Sequence, residues 1–129
     1  MAVRLLLIDK SAYARGAVSA EPEDELCVCA VTRLELLYSA RSEGDFHTLE
    51  GDLAQFRDLR MDAETFAIAL GAQRELAASG RHRVPIPDLL IAACAQQHAA
   101  DVVHVDRHYE ALAHVLTFTP IRAPARARR

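Results

Sequence analysis

The stretch DLLIAACAQQHAADVVHVDRHYEALAHVL, Asp88–Leu116, decides the reading of the fold. Its first part, Asp88 to Ala99, is strongly apolar, follows Pro87 and has the length of a buried helix. DVVHVD, Asp101 to Asp106, is a short strand that ends in an acid. HYEALAHVL, His108 to Leu116, returns to the spacing of a short amphipathic helix. Helix, strand and helix joined by short connections predict an α/β chain with parallel strands covered by helices.

The rest of the chain repeats that alternation. Val3 to Ile8 is apolar without an in–out pattern, which suits a central strand buried on both faces. Ser11 to Val18 reads as a short helix or an irregular turn, EPEDE (Glu21 to Glu25) as a polar connector, and LCVCAV (Leu26 to Val31) as a second strand. TRLELLYSAR, Thr32 to Arg41, has helical spacing. A polar turn or loose helical hairpin follows, and Arg60–Met61 reads as a minimal strand. Asp62 caps a helix that stops at Gly80. The two prolines of RHRVPIP, Arg81 to Pro87, predict a loop, and TFTPI predicts a final edge strand. The expectation is a three-layer α/β/α sandwich around a mainly parallel sheet of about four or five strands. It forms a single domain over residues 1–121, followed by a basic tail, 122–129, expected to fray.

Composition narrows the class. The chain has 129 residues, 51% hydrophobic and 26% charged, enough apolar mass for one core. Its formal net charge of −3 does not mark a nucleic-acid binder, yet nearly all of its basic residues are arginine, the side chain best suited to bidentate phosphate contacts. The 3 cysteines form no disulfide framework and no metal-binding CxxC, so they read as small buried residues in a reducing compartment. RLLLID is too short and too charged for a signal peptide, and no apolar run approaches the roughly 20 residues that span a bilayer. The expected location is the cytoplasm, with no membrane partner.

Chemistry concentrates in the acids. Asp9 stands directly after the first strand, Asp106 ends the third, Asp88 opens the apolar helix and Glu35 lies early in the helix after strand two. In a parallel sheet these positions share the carboxyl edge, where active sites form. Four converging carboxylates need protons, basic partners or cations. Mg²⁺ and Mn²⁺ prefer such oxygen ligands, and two ions about 3.5–4 Å apart can clamp a phosphodiester. Each acid also has a purely structural role open to it. Asp9 suits turn chemistry, Thr32-x-x-Glu35 is a capping box, Asp88 favours a helix N-terminus and Asp106 can cap the following helix. Ser11 can orient Asp9 or serve its own turn, and the histidines beside Asp106, His104 and His108, can touch a phosphate or act structurally.

The segments LLLIDKSAYAR, VTRLELLYSAR and IPDLLIAACAQQHAADVVHVDRHYEALA resemble the PIN-domain ribonucleases, and above all the toxin component of VapBC toxin–antitoxin pairs. The resemblance runs from Val3 to about Phe118. It implies a Mg²⁺- or Mn²⁺-dependent endoribonuclease toxin that cuts tRNA or ribosomal RNA. The implied catalytic acids are Asp9, Glu35, Asp88 and Asp106, with Asp9, Asp88 and Asp106 holding metal. Ser11 matches the family's small hydroxyl residue after the first acid. Beside what the resemblance implies, Lys10, Arg15, Arg107 and His108 are candidate second-layer or substrate-contact residues, as Ser11 is. A small antitoxin that covers the groove, a homodimer and a toxin–antitoxin hetero-oligomer follow from the same resemblance. The apolar faces of LELLY and TFAIALGAQREL suit such interfaces and suit core packing equally.

Two positions depart from the family pattern. Lys10 stands where relatives carry Thr, Ser or Asn, and His108 replaces the second acid of a D-R-D-F motif, here Asp106-Arg107-His108-Tyr109. These departures keep open a catalytically weak RNA-binding relative. A structure-specific DNA nuclease would use the same acids. A response-regulator-like domain lacks support, because the chain has no acidic pair at the first strand.

Overall fold

Five parallel strands in the order β3-β2-β1-β4-β5 form the centre of the computed structural model, which describes residues 3–15 and 22–123. The end of the Ser11–Val18 segment, the first residue of the acidic connector and the tail from residue 124 lie outside the described residues. The strands are β1 (Arg4–Ile8), β2 (Asp24–Val28), β3 (Arg57–Asp58), β4 (Asp101–His104) and β5 (Pro120–Arg122). Every pairing is parallel: β1 lies between β2 and β4, with Leu7 beside both Cys27 and Val102. The third strand is Arg57–Asp58 rather than Arg60–Met61, and β5 extends through Arg122.

The lack of alternation in β1 now has its cause. Leu7 packs with Cys27, Val102 and the apolar side of α4 (Ala63–Ala78) and α5 (Ile86–His98). Leu6 and Ile8 pack on the opposite face with Ala12 of α1 (Lys10–Arg15) and with Val103. Val28 meets Leu36 of α2 (Ala30–Tyr38) and Leu53 of α3 (Glu43–Leu53). The sheet is therefore covered on both faces, giving the α/β/α layering expected of its sequence. Burying each such aliphatic side chain contributes roughly 1.5–3 kcal/mol. All 3 cysteines are free and buried. No helix among the described residues is long and apolar enough to cross a membrane.

Two helix starts differ from expectation. α2 begins at Ala30, so Thr32 lies inside its first turn and the Thr32–Glu35 capping box does not form. Thr32 is fully buried instead, and its hydroxyl donates to the Ile8 carbonyl at 3.3 Å, fastening α2 to the end of β1. α5 begins at Ile86, with Pro87 in its first turn. A proline there loses no helical hydrogen bond, because the first amides of a helix have no partner inside it. α4 keeps its expected cap: the Asp62 carboxylate accepts from the Glu64 amide at 3.1 Å, and the Asp62 amide donates to the Thr65 hydroxyl.

The chain builds β2 and β3 on one side of β1, then crosses to place β4 and β5 on the other. The carboxyl ends of β1 and β4 thus flank a switch point in strand order, where open parallel sheets leave a crevice. Asp9 follows β1 directly, and Asp106 follows β4 by two residues.

Candidate metal centre

Asp9 is 5% exposed and held on several sides. Its Oδ1 accepts from the Ser11 hydroxyl at 2.6 Å and from the Ala12 amide at 3.1 Å, so it caps α1. Its own amide donates to the Val103 carbonyl at 3.2 Å, continuing the β1–β4 ladder. Ser11 Oγ also accepts from the Val105 amide at 3.2 Å. One hydroxyl therefore joins the acid after β1 to the backbone after β4.

Asp88 occupies the first turn of α5, where the helix dipole favours its charge. Its Oδ1 accepts from the Tyr109 hydroxyl at 3.4 Å, and its Oδ2 lies 3.0 Å from His108 Nδ1. Burial and the neighbouring Asp106 charge push the Asp88 carboxyl up to about 6, against the lowering effect of His108. Asp9 adds a smaller push in the same direction. Tyr109 is wholly buried, and burial followed by the Asp9 and Asp88 charges holds its phenol protonated.

Asp106 Oδ1 accepts from the His108 amide at 3.1 Å and lies 2.8 Å from His108 Nδ1. The Asp106 amide donates to His104 Nδ1 at 3.1 Å. That contact puts the proton of neutral His104 on Nε2, which lies 3.0 Å from Glu110 Oε2. Arg122 lies 3.6 Å from the other Glu110 oxygen. Burial, opposed by Glu110, lowers the His104 pKa. His104 is thus the structural histidine of the pair, and it shapes the turn that presents Asp106.

The structure brings Asp88, Asp106 and His108 together: one ligand atom from each lies within 4.8 Å of the others. Two carboxylate oxygens and an imidazole nitrogen form a donor set for a divalent ion. The raised Asp88 carboxyl is what a half-buried acid beside a second acid shows when its charge is incompletely balanced. The residues present therefore fit a metal. Asp9 adjoins this cluster without joining the triad. Glu35 lies in the second turn of α2, half-buried, and makes no hydrogen bond or ion pair among the described residues. Lys10 and Arg107 are exposed at the starts of α1 and α6 (His108–Leu112), and Arg15 ends α1 with its side chain outside the described residues. Sequence reasoning missed the Tyr109 hydroxyl on Asp88. Its only sequence signal is a tyrosine at the aromatic position of the D-R-D-F pattern.

A parallel sheet with acids gathered at its switch point describes a class, and comparison with known proteins supplies the family. The PIN domain family model matches residues 3–115, and the chain belongs to the PIN-domain family. Within it the chain is VapC-like. It is 38% identical over 114 residues to ribonuclease VapC17 of Mycobacterium tuberculosis, covering 83% of this chain and 86% of that protein. It is 37% identical over 125 residues to ribonuclease VapC21 of the same organism, covering 89% and 90%. Among solved structures, VapBC-5 of Mycobacterium tuberculosis, a member of the VapBC family of toxin–antitoxin systems, superposes with a TM-score of 0.72 at 25% identity, covering 92% of this chain and 98% of that one.

Proposed function

We propose that this chain is a Mg²⁺- or Mn²⁺-dependent endoribonuclease toxin acting in the cytoplasm on tRNA or ribosomal RNA. The observation that carries this reading is the Asp88–Asp106–His108 cluster at the switch point of the sheet, beside the buried Asp9, in a VapC-like chain. Asp9, Asp88 and Asp106 are assigned as the acids that hold the ion. When bound, such an ion lowers the pKa of a water and bears charge on the phosphodiester oxygens.

The protein's own contribution is positioning. Tyr109 fixes one Asp88 oxygen and leaves the other facing the cluster. Ser11 fixes Asp9 relative to the backbone after β4. His104 fixes the Asp106 amide. Lys10 and Arg107 are exposed beside these acids in sequence and supply cations for the RNA backbone, with Arg15 at the end of α1. Glu35 is assigned as the fourth acid, positioning water.

The partner reading follows the same support. Leu34 and Tyr38 on α2 are 69% and 92% exposed, and Phe66, Leu70 and Ile86 form a second apolar surface on α4 and α5. These surfaces suit a small antitoxin and a second copy of the chain. The nuclease unit is residues 1–121.

A substrate panel tests the reaction class. Metal-loaded chain is expected to cut structured RNA and to leave DNA duplexes, flaps and single strands intact. Cleavage of DNA but not RNA would replace this reading with that of a structure-specific DNA nuclease. Tight RNA binding without cleavage would leave a binding module.

A further inference from the structure

We propose that His108 is a direct nitrogen ligand of the bound ion and that it makes this centre select Mn²⁺ over Mg²⁺. The inference rests on the metal-nuclease reading above and concerns what one residue of this chain adds to it.

The two histidines around Asp106 differ in their commitments. His104 Nδ1 accepts from the Asp106 amide, and its buried Nε2 lies 3.0 Å from Glu110 Oε2, away from the cluster acids. The His108 ring, among the described residues, meets only the two acids of the cluster, both through Nδ1. Among the described residues no backbone carbonyl holds the ring; its acceptors are the Asp88 and Asp106 carboxylates themselves. Its backbone is fixed instead, because its amide donates to Asp106 Oδ1 at 3.1 Å. Nδ1–H donates to Asp88 Oδ2 and faces Asp106 Oδ1, and its proton is the one a metal ion would displace to reach the nitrogen.

The separations suit coordination. In an octahedral site with bonds of about 2.1 Å, adjacent ligand atoms lie about 3.0 Å apart. His108 Nδ1 is 3.0 Å from Asp88 Oδ2 and 2.8 Å from Asp106 Oδ1. The hydrogen-bonded contact already holds the three atoms at separations that ligand atoms of one ion could keep. The Tyr109 hydroxyl on Asp88 Oδ1 keeps Oδ2 turned toward the shared position.

Ligand chemistry then sets the preference. Mg²⁺ is hard and takes carboxylate and water oxygens. Imidazole nitrogen favours transition ions over Mg²⁺; Mn²⁺ stands lowest in that series and gains least, yet gains more than Mg²⁺. A site with one imidazole donor in place of a third carboxylate has one fewer negative oxygen, which weakens Mg²⁺ more than Mn²⁺.

The test uses the full-length metal-free chain with Mn²⁺ and Mg²⁺ as the probes. Pulsed electron paramagnetic resonance of the Mn²⁺-loaded chain is expected to show ¹⁴N coupling from a bound imidazole. His108→Asp and His108→Asn, each checked for folding by circular dichroism, are expected to lose that coupling. Calorimetric titration is expected to show tighter Mn²⁺ than Mg²⁺ binding, and His108→Asp is expected to shrink the ratio of the two Kd values by roughly tenfold. Mn²⁺ binding without imidazole coupling, or coupling that persists in both variants, overturns the inference and leaves the metal centre standing. Failure of the unaltered chain to bind either ion overturns the metal-nuclease reading as well.

Discussion

The Ser11 hydroxyl donates to Asp9 Oδ1 at 2.6 Å while accepting the Val105 amide at 3.2 Å. A single oxygen thereby couples the acid after β1 to the strand end that leads to Asp106. Ser11→Ala removes both contacts and leaves the Val105 amide without its acceptor. The expected loss of stability is about 1–3 kcal/mol, and the expected loss of cleavage is about tenfold or more. Thermal melts and initial rates measured on one preparation check both. A variant with unchanged melting and unchanged rate would remove Ser11 from the account.

Asp88 gives a pH-dependent prediction with a definite sign. Its carboxyl titrates at about 6 in the fold and near 3.9 when unfolded. Between those values the folded chain binds the extra proton, so the metal-free fold loses stability as pH rises through that window. Asp88→Asn removes the loss. In EDTA at pH 7.5 the variant is expected to be more stable than the parent, by on the order of 1 kcal/mol after solvent screening. The difference is expected to shrink toward pH 4. Denaturant melts at the two pH values measure it, and a variant less stable at pH 7.5 contradicts the assignment.

Thr32→Val tests the fastening of α2 to β1. The substitution keeps the shape of the side chain and removes the hydroxyl that donates to the Ile8 carbonyl. Leaving that carbonyl without its donor is expected to cost about 1–3 kcal/mol in a denaturant melt. No change in the midpoint would show that the contact contributes nothing.

Glu35→Gln separates the two roles the sequence offered for that residue. The capping box is absent, because α2 starts two residues before Thr32. The substitution is therefore expected to leave the melting temperature unchanged and to reduce cleavage at least tenfold. Unchanged cleavage would take Glu35 out of the site.

These residues also show how far the sequence can be read. β1 was legible because a continuous apolar run ending in an acid has few other uses, and the capping of α1 by Asp9 is a contact within three residues. The start of α2 is not legible in the sequence, because Thr32 looks like an N-cap in any short window, whereas its actual partner, the Ile8 carbonyl, lies 24 residues away. β3 spans only two residues and takes its identity from pairing with Cys27 and Val28. The acids at the sheet edge followed from topology. The approach of His108 to Asp88 spans 20 residues and joins the start of α6 to the first turn of α5, so no local pattern announces it.

The most direct measurement is cleavage of total cellular RNA by the purified chain, freed of any antitoxin, with Mg²⁺, Mn²⁺ or EDTA. Asp9→Asn and Asp88→Asn run beside it. The expected result is discrete RNA fragments that require a divalent ion and both acids, with both variants folded and at least 100-fold slower. Fragments that persist in EDTA, or that either variant produces at the parental rate, would contradict it.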